Sequence, residues 1–110
     1  MSQENIKKQL QKVRASYLAS FKDKINSIEE LWQELQINWQ PQLYEELYII
    51  VHSLAGSAGT FDLPDITDSA RAIVDMFKEN KTSVNKPDEA LLNKIDLKFN
   101  YLLKTMEQAK

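Results

Sequence analysis

The chain contains one histidine, His52, among 110 residues, and no cysteine. A neutral imidazole is a good nucleophile near pH 7, because its unperturbed pKa is about 6.5. It can attack a phosphoryl group and hold it as a phosphoramidate. Phosphoryl transfer asks a protein mainly for positioning and charge neutralisation rather than for a rich set of catalytic groups. A bare histidine on a rigid element can therefore serve, provided a partner brings the metal and the remaining machinery. Two glycines, Gly56 and Gly59, follow His52 by four and seven residues in Ala55-Gly56-Ser57-Ala58-Gly59.

Other chemistries find less support. A metal site has no second histidine or thiolate to draw on, and carboxylates alone make an unspecific case. A hydrolytic enzyme with His52 as general base would need an orienting partner and a pocket, which a convex helix face does not offer. There is no GxxxxGK[ST] loop for a nucleotide phosphate.

The element that must carry His52 is a helix. Leu43, Leu47, Ile50, Val51, Leu54, Ala58 and Phe61 recur at the helical period from Gln42 to about Phe61. At about 100° per residue, His52 lies roughly 160° from Leu54, away from the apolar stripe. Glu45, Tyr48, Gly56 and Gly59 share its side, and Ser53 and Ser57 flank it in sequence. Glycine inside a helix costs about 1 kcal/mol relative to alanine, so the pair needs a reason. One is access of another protein to the imidazole; the other is close packing of a neighbouring helix. Spacing leaves both open. Glu45 and Tyr48 are candidates for partner selection or an ordinary solvated face. Ser57 is a candidate to bond the imidazole or a phosphate, or its own backbone.

The rest of the chain repeats the helical pattern. Ile6, Leu10, Val13, Tyr17, Phe21, Ile25, Ile28, Leu31 and Leu35 describe one face of about 30 residues, or about 45 Å. That length would overhang the domain, so a break is expected near Ser20 to Asp23, with either residue capping a second helix. Pro41 suits the first turn of the His52 helix. Asp62 is the expected N-cap of the next, with Pro64 in its first turn and Asp65 three residues on. A loop from Lys81 to Lys86 leads to a last helix from Pro87. The predicted helices span about 4–20, 23–36, 42–61, 64–80 and 87–108 of a single domain covering 1–110. Trp32 and Trp39 are expected to pack between helices.

Composition agrees with this reading. Hydrophobic residues make up 43% and charged residues 27%, an ordinary globular balance. Two glycines and three prolines are too few for many hairpins and favour long helices. Amphipathic helices with short loops bury their stripes most simply as an antiparallel, up-and-down four-helix bundle; the fold class is all-α, with an extra N-terminal helical segment. Net charge is −2, with basic residues interleaved among acids, so no nucleic-acid footprint stands out. Residues 1–5 lack the apolar core of a signal peptide. The longest apolar run, Leu47 to Val51, is far short of the ~20 residues that span a bilayer. The expectation is a soluble, cytoplasmic monomer with no membrane partner.

The segment Val51-His52-Ser53-Leu54-Ala55-Gly56-Ser57-Ala58-Gly59-Thr60-Phe61-Asp62-Leu63-Pro64 resembles the signature of histidine-containing phosphotransfer (HPt) domains. The family pattern has a histidine, a hydrophobic residue two later, glycine at four, a small residue at six, and a hydrophobic residue then glycine at nine and ten. His52, Leu54, Gly56, Ala58 and Phe61 match it. Leu54-Ala55-Gly56-Ser57 with Gly59-Thr60-Phe61, and Ile28-Glu29-Glu30-Leu31-Trp32 upstream, look like a bacterial subgroup. The resemblance implies that His52 is the phosphoacceptor of a two-component phosphorelay and that the chain is a phosphocarrier rather than an enzyme. It implies a response-regulator receiver domain or a hybrid sensor kinase as partner. No cofactor is implied for the chain itself, the Mg2+ being expected in the receiver. Two positions depart from the pattern. Ala55 stands where many members carry a phosphate-neutralising lysine, and Asp62 stands where the tenth-position glycine is expected. The alternative reading is a phosphorylation-independent helical module that sequesters a receiver on the same face.

Overall fold

In the computed structural model, residues 2–80, 82 and 85–109 are described. Five helices account for most of them: α1 (Gln3–Ala19), α2 (Phe21–Ile37), α3 (Pro41–Thr60), α4 (Pro64–Glu79) and α5 (Glu89–Ala109). No strand occurs among the described residues.

Helices α2 to α5 form the antiparallel four-helix bundle. α3 packs between α2 and α4, and α5 closes the ring against α4 and α2. Each contributes one stripe to a common core, including Phe21, Ile28 and Leu35 from α2, Leu47, Val51 and Leu54 from α3, Ile66, Ile73 and Phe77 from α4, and Ile95, Phe99 and Leu102 from α5. Trp32 links α2 to α5, whereas Trp39 lies in the connection between α2 and α3 and ties it to the segment that follows α4. Trp32 is buried against Phe99 at 4.8 Å between ring centres, and its Nε1 donates to Asp96 Oδ1 on α5 at 2.8 Å. Trp39 Nε1 donates to the Thr82 carbonyl at 2.8 Å.

α1 differs from the expectation of a bent first third. The interruption is confined to Ser20, whose backbone stays in the right-handed helical region (φ −72°, ψ −13°). Ser20 N–H still bonds the Ser16 carbonyl, and Lys24 N–H bonds the Ser20 carbonyl. Neither Ser20 nor Asp23 caps α2 through its side chain. The Ser20 hydroxyl instead donates back to the Tyr17 carbonyl at 2.5 Å, a bond that competes with the helix ladder and disturbs it only locally. α1 and α2 thus run almost continuously, and the molecule measures 55 × 23 × 23 Å. Ile6, Leu10 and Val13, which continue the apolar face of α2 in period, are 44%, 63% and 53% exposed.

Two helix starts also differ from expectation. The N-cap of α4 is Leu63, without a side-chain bond. Asp62 lies one residue earlier, at φ 57°, in the left-handed region. Leu63 N–H bonds the Ala58 carbonyl and Asp62 N–H the Gly59 carbonyl, the paired closure of a Schellman motif with Asp62 in the glycine position. Ending α3 therefore takes precedence over capping α4. α5 begins at Glu89 rather than Pro87 because Asp88 Oδ1 accepts the Leu91 N–H at 2.9 Å and acts as the cap. Of the expected loop 81–86, Lys81, Ser83 and Val84 lie outside the described residues.

Candidate functional site

His52 sits in the middle of α3 and its side chain is exposed. The imidazole makes no hydrogen bond among the described residues. Its ring stacks on that of Tyr48, at 5.8 Å between centres and 23° between planes. That contact follows from helix geometry: side chains lean toward the N-terminus, which brings residue i onto residue i−4.

The stack continues inward. Tyr48 stacks on Tyr44 at 6.0 Å and 27°, and Tyr44 is buried beside Phe77 at 5.3 Å. The Thr82 hydroxyl lies 3.2 Å from both the Tyr44 hydroxyl and the Phe77 carbonyl. Burial pushes the Tyr44 phenol above its ordinary pKa, with the Thr82 hydrogen bond acting in the opposite direction. His52 is thus the solvent end of a row of rings, Tyr44, Tyr48 and His52, whose inner end is fixed in the core. The spacing i, i+4, i+8 was visible in the sequence; Thr82 as the anchor of the inner ring was not.

The other side of the imidazole is bare. Gly56 is exposed, and a Cβ built there would meet nothing within 4 Å. No neighbouring helix packs on it. A side chain at position 56 would lean back over the turn that carries His52, so glycine leaves that approach uncovered. Gly59 is different: a Cβ built there would lie 3.7 Å from Thr67 Oγ1, an ordinary contact, so Gly59 faces α4. Glu45 is exposed two turns before His52 on the same side.

The flanking serines turn away from this row. Ser57 lies about 140° around the helix from His52, half-buried, and its Oγ is 2.6 Å from the Tyr17 hydroxyl on α1. Its bond is therefore neither to the imidazole nor to its own backbone. Burial raises the Tyr17 phenol pKa, and the Ser57 bond lowers it by less. Ser53 is exposed and borders a cleft of about 430 Å³ with Lys24, Ser27, Tyr17 and Ser57. Lys24 is already engaged there. Its Nζ donates to Ser20 Oγ at 2.8 Å and lies 4.5 Å from the Tyr17 ring centre, and burial lowers its pKa. Phe61, expected in the core, is only half-buried at the end of α3. It stacks on Tyr17 at 4.4 Å. Tyr17 gave no local sign of this role, since both partners are some 40 residues distant.

Among the described residues, no three histidine or carboxylate groups come together as a metal site. No helix among them is long and apolar enough to cross a membrane.

The arrangement presents an exposed imidazole in the middle of a helix, with a clear approach from the side of Gly56. Neither a curated protein nor a solved structure gives a significant match to the chain. The family model described as Hpt domain matches residues 12–109, which includes His52 and every helix of the bundle. The chain belongs to the Hpt domain family.

Proposed function

We propose that the chain is a phosphocarrier of a two-component phosphorelay, taking a phosphoryl group on His52 from a phospho-aspartyl receiver domain and passing it to another. The observation that carries this reading is the exposed, unbonded imidazole of His52 one helical turn from the empty position at Gly56. The receiver docks on the face of α3 that bears Tyr48, His52 and Gly56, with Glu45 and Gly59 at its edges. Ser53 and Ser57 belong to the flank toward α2. One ring nitrogen forms the P–N bond as the P–O bond to the partner's aspartate breaks. The carboxylate leaves with its electron pair, and the proton on the other ring nitrogen can pass to solvent. Onward transfer is the reverse step toward a second aspartate. The receiver supplies Mg2+ in both directions, so this chain is not an autonomous kinase. A cytoplasmic monomer suits the role.

A second reading is sequestration of a receiver without exchange. It is favoured by Ala55 and by the absence of any lysine or arginine between Lys24 and Arg71, which leaves α3 without a cation for the phosphate. His52→Ala separates the two. Relay is lost with the histidine, whereas sequestration of the receiver largely persists; transfer that survived the substitution would remove His52 from the mechanism.

A further inference from the structure

On reading His52 as the phosphoacceptor, a phosphoryl group brings up to two negative charges to a helix with no cation of its own. Lys24 is engaged with Ser20 and Tyr17 on the far flank, and Arg14 reaches the Phe61 carbonyl at 3.5 Å. The register of α3 against α4 supplies an alternative. Gly59, about 20° around α3 from His52, faces Thr67 on α4. The two helices are antiparallel neighbours with the same rise per residue. Going back from Gly59 and forward from Thr67, Arg71 comes level with Ala55, and Lys78 with Tyr48. Arg71 and Lys78 lie within about 40° of Thr67 around α4, hence on the flank that borders the His52 face. Both are exposed, and neither side chain forms a hydrogen bond or ion pair among the described residues.

We infer that Arg71 and Lys78 form a two-cation cradle that straddles His52 from α4 and neutralises its phosphoryl group, in place of a lysine at position 55. Packed helices lie about 8–10 Å apart, a gap that side chains of this length can cross. Each cation stands about one turn to either side of the imidazole. Arginine adds paired donors suited to phosphate oxygens. Asp75 lies between the two on α4, with Tyr48 level with Lys78 on α3 and Glu45 about one turn beyond it. In the unphosphorylated protein the flank is therefore mixed in charge, and the added phosphoryl group is what calls the cations in.

The test is the ionisation of the phosphohistidine itself. The purified chain is phosphorylated with phosphoramidate, and the 31P signal is titrated against pH. In the Arg71→Ala/Lys78→Ala protein the phosphoryl group is expected to take its second charge at a pH higher by about half a unit or more, because nearby positive charge favours the charged form. Arg71→Lys with Lys78→Arg keeps the parent titration, and Ala55→Lys in the double-alanine background restores it. An unchanged titration in the double-alanine protein overturns the cradle while leaving His52 as phosphoacceptor. So does an equal shift from Lys98→Ala on α5, across the bundle, since net charge alone would then account for the effect. Failure of His52 to take any phosphoryl group overturns both this inference and the reading it rests on.

Discussion

An imidazole can meet a phosphoryl group held by another protein only if its own chain leaves the approach open. At the residue scale this is the division between Tyr48 and Gly56. Tyr48 covers the imidazole on one side through ring stacking, and Gly56 leaves the other side empty. Nothing in the fold requires glycine at position 56, where a methyl group would meet open space. Gly56→Ala is therefore expected to stabilise the protein by roughly 0.5–1 kcal/mol, the usual cost of glycine inside a helix, read as a higher denaturant midpoint. Gly56→Leu is expected to keep the fold and slow phosphoryl transfer; transfer at the parent rate would show that the open position has no part in docking. The orientation of His52 was legible in the sequence because it depends only on helical period. The partner of Ser57 was not, because Tyr17 lies forty positions away and only the packing of α1 brings it there.

At the element scale, the existence of each helix followed from apolar periodicity, whereas several ends were decided by competition for backbone groups. Asp62 carried two possible roles in the sequence, cap of α4 or terminator of α3. The closing bonds from Asp62 and Leu63 to Gly59 and Ala58 settle it as the terminator at φ 57°. A residue with a side chain is strained in that region, though aspartate less than most. Asp62→Gly is expected to raise stability by about 0.5–1 kcal/mol in a denaturant titration; a loss of stability would show that the aspartate side chain does more there than tolerate the turn. The break at Ser20 was placed correctly in position but not in kind. Its hydroxyl satisfies the Tyr17 carbonyl rather than capping α2, a choice between two local bonds that residue type alone does not make.

At the scale of the whole molecule, the four-helix bundle was legible because four amphipathic stripes with short connections have few other ways to be buried. The course of α1 was not. Its stripe continues that of α2 in period, yet Ile6, Leu10 and Val13 pass beyond the end of the bundle and stay exposed. No residue of α1 is buried, and its ties to the bundle, Arg14 and Tyr17, lie in its second half. Removal of residues 1–11 is therefore expected to change the thermal midpoint of the bundle by no more than a degree or two. A large drop would mean that the overhanging turns are held by something other than the contacts to Phe61 and Ser57. The most direct test of phosphoryl relay through His52 is transfer to the purified chain from a panel of phosphorylated receiver domains, with His52→Gln alongside. Acid-labile, base-stable label is expected on the parent from at least one receiver and none on the variant. Label that persists in His52→Gln, or receiver binding with no label on the parent, would contradict that relay.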